Sequence, residues 1–202
     1  MSTKLKIAAA VAAAVLLSAC SSPKHEPMPL VKFTPSMEVT EVWSKGLSSA
    51  EGFLVPAVYD DMVFAAGGKT LTRLNARTGE TEWSVSFNSP ITGGVGSDGY
   101  VTAVGLWDGN LEVVDAEGKV SWEKKLTTEL ASPPVVSHGL VIARTMDTRV
   151  SAFEASSGEL QWTYQRSQPA LTVRLPTRML AHDNFLLVGQ PNGHIVILDI
   201  AS

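Results

Sequence analysis

From Val39 onward the chain is built of short runs in which apolar and polar residues alternate, cut at regular intervals by Gly, Asp and Asn. Alternation of this kind predicts half-buried β-strands joined by tight turns. One stretch sets the pattern for the rest. Asn75-Ala76-Arg77-Thr78-Gly79 leads into a second alternating run, Trp83-Ser84-Val85-Ser86-Phe87, and the same order of residues returns at Asp115–Gly118 with Trp122 and at Glu154–Gly158 with Trp162. In each copy Asn, Asp or Glu closes one strand and can cap the turn, while Gly79, Gly118 or Gly158 supplies the positive φ that a tight hairpin requires. Each copy therefore predicts a β-hairpin.

The array has a beat. Trp43, Trp83, Trp122 and Trp162 follow one another at 40, 39 and 40 residues. An indole that recurs once per unit, on a sheet too small to bury it, predicts docking against the neighbouring unit. Strands are expected at Phe53–Val58, Met62–Ala66, Thr70–Leu74 and Thr81–Phe87 in the first unit. The second unit gives Ile91–Val95, Tyr100–Gly105, Leu111–Val114 and Val120–Leu126. The third gives Pro134–Val136, Leu140–Arg144, Arg149–Phe153 and Leu160–Gln165. Four strands in about 40 residues is the content of a propeller blade, and period and pattern both exclude tetratricopeptide and ankyrin arrays. The expected fold is an all-β propeller of four-stranded antiparallel blades. A fourth unit supplies Arg178–Ala181, Phe185–Val188 and His194–Leu198 and opens the hairpin turn again at Asp199-Ile200-Ala201-Ser202. The expectation is about four blades of a longer ring, an open arc truncated at its C-terminal end. A closed four-bladed ring that borrows Val39–Trp43 as its last strand is the alternative.

One interval breaks the beat. Trp43 to Asn75, Trp83 to Asp115 and Trp122 to Glu154 each span 32 residues, whereas Trp162 to Asp199 spans 37. The five added residues fall in or near Gln165–Pro176. A lengthened connection on a repeat scaffold is a common place for a binding surface. Its Leu171-Thr172-Val173-Arg174 sets an arginine among aliphatic residues, as interface anchors do. An ordinary strand behind a long entry loop fits the same residues.

The N-terminus is of another kind. Lys4 and Lys6 precede an apolar run, Ile7 to Leu17, that ends in Leu17-Ser18-Ala19-Cys20. This is the layout of an export signal, and the run is shorter than the roughly 20 residues a membrane span needs. Ser21 to Glu38, with Pro23, Pro27, Pro29 and Pro35, reads as a tether. Extended, it would reach on the order of 50 Å. The boundaries are therefore a signal at 1–19, a tether at 20–38 and the repeat array at 39–202.

Charge and composition narrow the chemistry. The net charge of −4 argues against a nucleic-acid partner, and with a single cysteine, Cys20, there is neither an internal disulfide nor a Cys cluster for a metal. Gly94-Val95-Gly96-Ser97-Asp98-Gly99 matches the dinucleotide pattern, but a β-like run follows it where the fingerprint needs a helix. Trp107-Asp108 spells the dipeptide of WD40 blades once, out of the Trp phase, and is taken as coincidence. His25, His138, His182 and His194 lie in the tether, in two turns and at a strand start, without metal-ligand spacing. No serine sits in a G-x-S-x-G elbow. No catalytic residue, metal or cofactor is expected.

Two resemblances follow from these residues. Leu17-Ser18-Ala19-Cys20 resembles the lipobox of bacterial lipoproteins. That resemblance implies an acylated Cys20 at the mature N-terminus and, with Ser21 in place of Asp, sorting to the outer membrane of a Gram-negative cell, periplasmic side. More than one acyl chain would hold it firmly. The hairpin sentence is similar to the tryptophan-docking motif of the pyrroloquinoline-quinone-type eight-bladed propellers, which two groups share. Quinoprotein dehydrogenases hold quinone and calcium on the axis and commonly carry an adjacent cysteine pair, which this chain lacks. The other group, the BamB family of barrel-assembly lipoproteins, is matched by the lipobox, the tether, the repeats, Ala131–Val141 and Pro169–Arg174. This resemblance implies a non-catalytic scaffold that binds the periplasmic POTRA domains of BamA and other barrel-assembly components, with Leu171, Val173 and Arg174 at the contact. No small-molecule substrate is implied. Leu175-Pro176 departs from the polar, glycine-containing continuation of the family, and the acidic pair that completes the family's site would lie beyond Ser202.

Overall fold

The computed structural model describes residues 28–48, 54–166 and 177–201. The chain divides into two units, Met1–Thr40 and Glu41–Ser202. In the first unit, residues 28–40 form no strand and are exposed. In the second, the described residues form fifteen strands in four antiparallel sheets, and all four are simple meanders. Blade 1 comprises β1 (Ala57–Tyr59), β2 (Met62–Gly67), β3 (Thr70–Asn75) and β4 (Thr81–Ser86). Blade 2 comprises β5 (Ile91–Ser97), β6 (Thr102–Leu106), β7 (Asn110–Val114) and β8 (Val120–Lys125). Blade 3 comprises β9 (Val135–Ser137), β10 (Leu140–Arg144), β11 (Val150–Glu154) and β12 (Leu160–Tyr164). Blade 4 contributes β13 (Leu180–His182), β14 (Phe185–Gly189) and β15 (Ile195–Asp199). The expected propeller blades are therefore present as an open succession of sheets.

Successive blades stack face to face. Phe64 and Leu71 of blade 1 pack on Ile91, Val95, Val104 and Leu106 of blade 2. Ala103, Leu111 and Val113 meet Val141, Ala143 and Phe153 across the next seam, and Leu140, Ile142, Val150 and Ala152 meet Leu186, Val188 and Ile200 across the third. A middle strand is thus covered on both sides, and β6 and β10 are buried throughout. The half-buried strand expected at Leu111–Val114 is therefore buried on both faces. The alternation there separates two buried faces, and Glu112 is only 8% exposed.

The tryptophans are the fasteners between blades. Trp43 Nε1 donates to Ala76 O at 2.9 Å, Trp83 to Ala116 O at 2.9 Å, Trp122 to Ala155 O at 2.8 Å and Trp162 to Ile200 O at 2.9 Å. The donor-to-acceptor spacings are 33, 33, 33 and 38 residues, so the five-residue excess is real and lies between Trp162 and Ile200. Three of these indoles also lie on the turn glycine of the next blade. A Cβ on Gly79, Gly118 or Gly158 would stand 2.7, 2.7 or 2.8 Å from the ring of Trp43, Trp83 or Trp122. The turn glycines thus do more than supply their φ of 72°, 82° and 71°; they are also the floor on which the indole rests. At the first seam, Arg73 reinforces the clamp by donating to the same Ala116 carbonyl at 3.0 Å.

Immediately beyond each Trp pairing the register slips, at Arg73/Leu74, Val113/Val114 and Ala152/Phe153. Such bulges add local twist. Several boundaries also differ from the expected ones. Tyr100 stays outside β6 because Asp98 Oδ1 accepts its N–H at 3.0 Å and that of Val101 at 2.8 Å, an Asx turn. Arg149 belongs to the β10–β11 turn, Pro134 precedes β9, and Arg178 precedes β13, which instead takes in His182. Of the expected first strand, Ala57 and Val58 are paired, and Phe53 lies outside the described residues. The strand following β5 confirms that Gly94–Gly99 is not a phosphate-binding turn.

The turns between second and third strands each need one left-handed residue. Gly68 (φ 57°), Gly109 (φ 83°) and Gly193 (φ 82°) fill the place in blades 1, 2 and 4, whereas blade 3 has Thr148 at φ 68°. A β-branched residue there is strained by about 1–2 kcal/mol. Thr148→Gly should therefore raise stability by about 1 kcal/mol in urea denaturation. In the same assay Trp122→Ala should cost about 3–5 kcal/mol. The exposed Trp107→Ala should change stability by less than about 0.5 kcal/mol.

Candidate functional site

A meander of four strands puts its connections on two opposite faces. On one lie the third-to-fourth-strand hairpins and the turns at Asp60-Asp61, His138-Gly139 and Asp183-Asn184; Ala76 N–H donates to Asp61 O there at 2.8 Å and Ile200 N–H to Asn184 O at 2.8 Å. The other face carries the links between blades together with the second-to-third-strand turns. These are laced to one another: Ile91 N–H to Gly68 O at 2.8 Å, Trp107 N–H to Pro90 O at 2.8 Å, Leu126 N–H to Gly109 O at 3.0 Å and Met146 N–H to Glu129 O at 3.0 Å. The link from β12 to β13 belongs to this connection face by topology.

Leu171, Val173 and Arg174 lie in that link, outside the described residues, as does Cys20. The described structure thus brings the link's two ends, Gln165-Arg166 and Thr177-Arg178, onto the connection face and leaves the three anchor residues as sequence expectations. What it adds is Trp107. The ring is 63% exposed, on a turn fixed by Gly109 N–H to Leu106 O at 2.9 Å, Asn110 N–H to Asp108 Oδ1 at 3.1 Å and Lys125 Nζ to Asp108 O. Its backbone position corresponds to Met146 in blade 3, since both donate to the preceding link. The sequence did hold a signal for it: a Trp out of phase cannot be one of the docking rings.

A second feature also departs from the repeat. In blade 1 the cross-strand pair Thr72–Ser84 shares a hydroxyl hydrogen bond at 3.1 Å, and in blade 3 Ser151–Thr163 does so at 3.3 Å. Blade 2 has Glu112 opposite Glu123 at this place. Burial, then the like charges of Glu123 and Asp108, push the Glu112 carboxyl up to about 7.

Comparison with known proteins places the chain. Residues 68–202 match the family described as outer membrane protein assembly factor BamB. This chain belongs to the BamB family. The BamB of Burkholderia pseudomallei (strain K96243) is 37% identical over 198 residues, covering 95% of this chain and 52% of that protein. The BamB of Bordetella pertussis is 32% identical over 193 residues, covering 92% and 50%. The crystal structure of BamB from Moraxella catarrhalis superposes with a TM-score of 0.65 at 28% identity, over 73% of this chain and 46% of that one. The chain therefore spans about half the length of the BamB relatives it matches. Between the two groups that share the docking motif, the family match decides for the assembly factors.

The Glu112 shift fixes the sign of a pH effect. Below pH about 4.5 both folded and unfolded chains carry the proton; between about 4.5 and 7 the unfolded chain gives it up and the folded one keeps it, so stability falls as pH rises, and above about 7 the penalty is constant. Urea titrations from pH 4.5 to 8 should show this decline in the native chain and a smaller one in Glu112→Gln.

Proposed function

We propose that the chain is a binding module of the barrel-assembly machinery, a scaffold without catalytic groups that assists the folding and insertion of β-barrel proteins into the outer membrane. Family membership carries this reading, since the relatives are outer membrane protein assembly factors. Cys20 is the acylated anchor on the periplasmic face of the outer membrane, and the stretch to Glu38 is its tether. The partner is the periplasmic POTRA region of BamA. It docks on the connection face, where Leu171 and Val173 give apolar contacts and Arg174 a charge-assisted hydrogen bond. Two observations support that choice of face: the five-residue excess in the link between Trp162 and Ile200, and the exposed Trp107 on its hydrogen-bonded turn.

The test is binding of the periplasmic domains of BamA to the chain. Leu171→Ala/Arg174→Ala should weaken it by about 30-fold or more, as expected for loss of hot-spot anchors, without changing the urea midpoint. Undiminished binding would remove the site assignment. Growth of radiolabelled palmitate incorporation with the native chain and its loss in Cys20→Ala checks the anchor separately.

A further inference from the structure

At the connection-face end of the seam between blades 3 and 4, two nitrogen donors are buried with no acceptor among the described residues, Nε of Arg144 and Nε2 of Gln190. They come from opposite sides. Arg144 continues the row Leu140, Ile142 on β10 toward blade 4, and Gln190 continues Leu186, Val188 on β14 toward blade 3. The repeat does not call for either side chain. Aligned on the turns closed by Gly109 N–H to Leu106 O, Thr148 N–H to Thr145 O and Gly193 N–H to Gln190 O, the place of Arg144 is held by Gly105 in blade 2 and Gly189 in blade 4. Gln190 corresponds to Leu106 and Thr145.

Arg144 is 4% exposed, and among the described residues no carboxylate forms a salt bridge with it. Residues 167–176 contain no Asp or Glu. Among the described residues its one side-chain bond runs from Nη1 to Thr177 Oγ1 at 2.8 Å, and Thr177 Oγ1 lies 3.4 Å from Gly189 O, beside Gln190. Thr177 itself is exposed, so the guanidinium sits one side chain below the surface. Burying a cation with a donor unpaired is costly, and a planar acceptor of opposite charge that satisfies the donor offsets that cost.

We propose that Arg144, with Gln190 and Thr177, is a receptor for a single carboxylate entering the blade 3–blade 4 seam from the connection face. The Nε edge of a guanidinium takes a carboxylate, and the Gln190 amide donates to it from the facing blade. Desolvation holds the Arg144 pKa below its usual value, in keeping with a cation that lacks its counter-charge. The assignment stands on the donors of the seam and does not depend on the identity of the BamB partner. The carboxylate is a side chain of a docking polypeptide or a free small acid.

The experiment follows the Arg144 Nε–H resonance of the full chain, labelled with nitrogen-15 arginine and assigned by its loss in Arg144→Lys or, if that variant does not fold, through its own side-chain correlations. Three probes are titrated: the capped pentapeptide Gly-Gly-Glu-Gly-Gly, its Gln counterpart and sodium acetate. A saturable shift with the Glu peptide and none with the Gln peptide is expected; Gln190→Ala should weaken it about fivefold. A response to the Glu peptide stronger than that to acetate assigns a polypeptide source, and an equal one a free acid. A resonance that neither carboxylate moves, or that the Gln peptide moves equally, overturns the proposal.

Discussion

One contact recurs along the chain: an indole N–H donating to a backbone carbonyl of the blade that follows it, and for Trp43, Trp83 and Trp122 the ring also lies on that blade's turn glycine. Both halves of the contact are short-range and directional. The hydrogen bond fixes where the indole nitrogen points, and the missing side chain of Gly79, Gly118 or Gly158 lets the ring approach to van der Waals distance. A sheet of four short strands has too little core of its own to be stable. Held by the indole, it buries one face on each neighbour, and its middle strands become interior on both sides. The register slip beside each Trp belongs to the same arrangement, since it adds twist where the ring must reach across.

With the scaffold set by one repeated contact, the departures from repetition stand out. Glu112 opposite Glu123 replaces a hydroxyl pair, Thr148 replaces a turn glycine, and Arg144 and Gln190 occupy places that are Gly, Leu or Thr in other blades. Three of these four residues cluster at the blade 3–blade 4 seam or in the turn next to it, alongside the lengthened link. Strain and unpaired donors of this kind persist where surrounding structure holds them in place. The clustering is what makes this end of the connection face chemically unlike the rest of the arc.

Much of the fold was legible because its signals are local. Trp spacing, Asx-Gly turns and period-two alternation name fourteen of the fifteen strands to within about two residues, and the 37-residue interval locates the added link. The exception was β1, expected at Phe53–Val58 and found at Ala57–Tyr59. Local alternation predicts a half-buried strand at Leu111–Val114 and gives no information about the second blade that covers Glu112. Nor could it show that the turn glycines are docking floors, because that role is defined by a ring 35 or 36 residues earlier in the chain. Trp107 was visible as a dipeptide and set aside, although its being out of phase was itself the clue. Leu171, Val173 and Arg174 rest on the lengthened interval and on resemblance, and Cys20 on the signal layout and on resemblance.

The indoles all point the same way along the chain. Trp43 grips the blade that follows it, Trp83 the next, and Trp122 and Trp162 the two after that. In a chain that emerges amino end first, each latch therefore precedes its catch, and a sheet can close onto its neighbour without undoing an earlier joint.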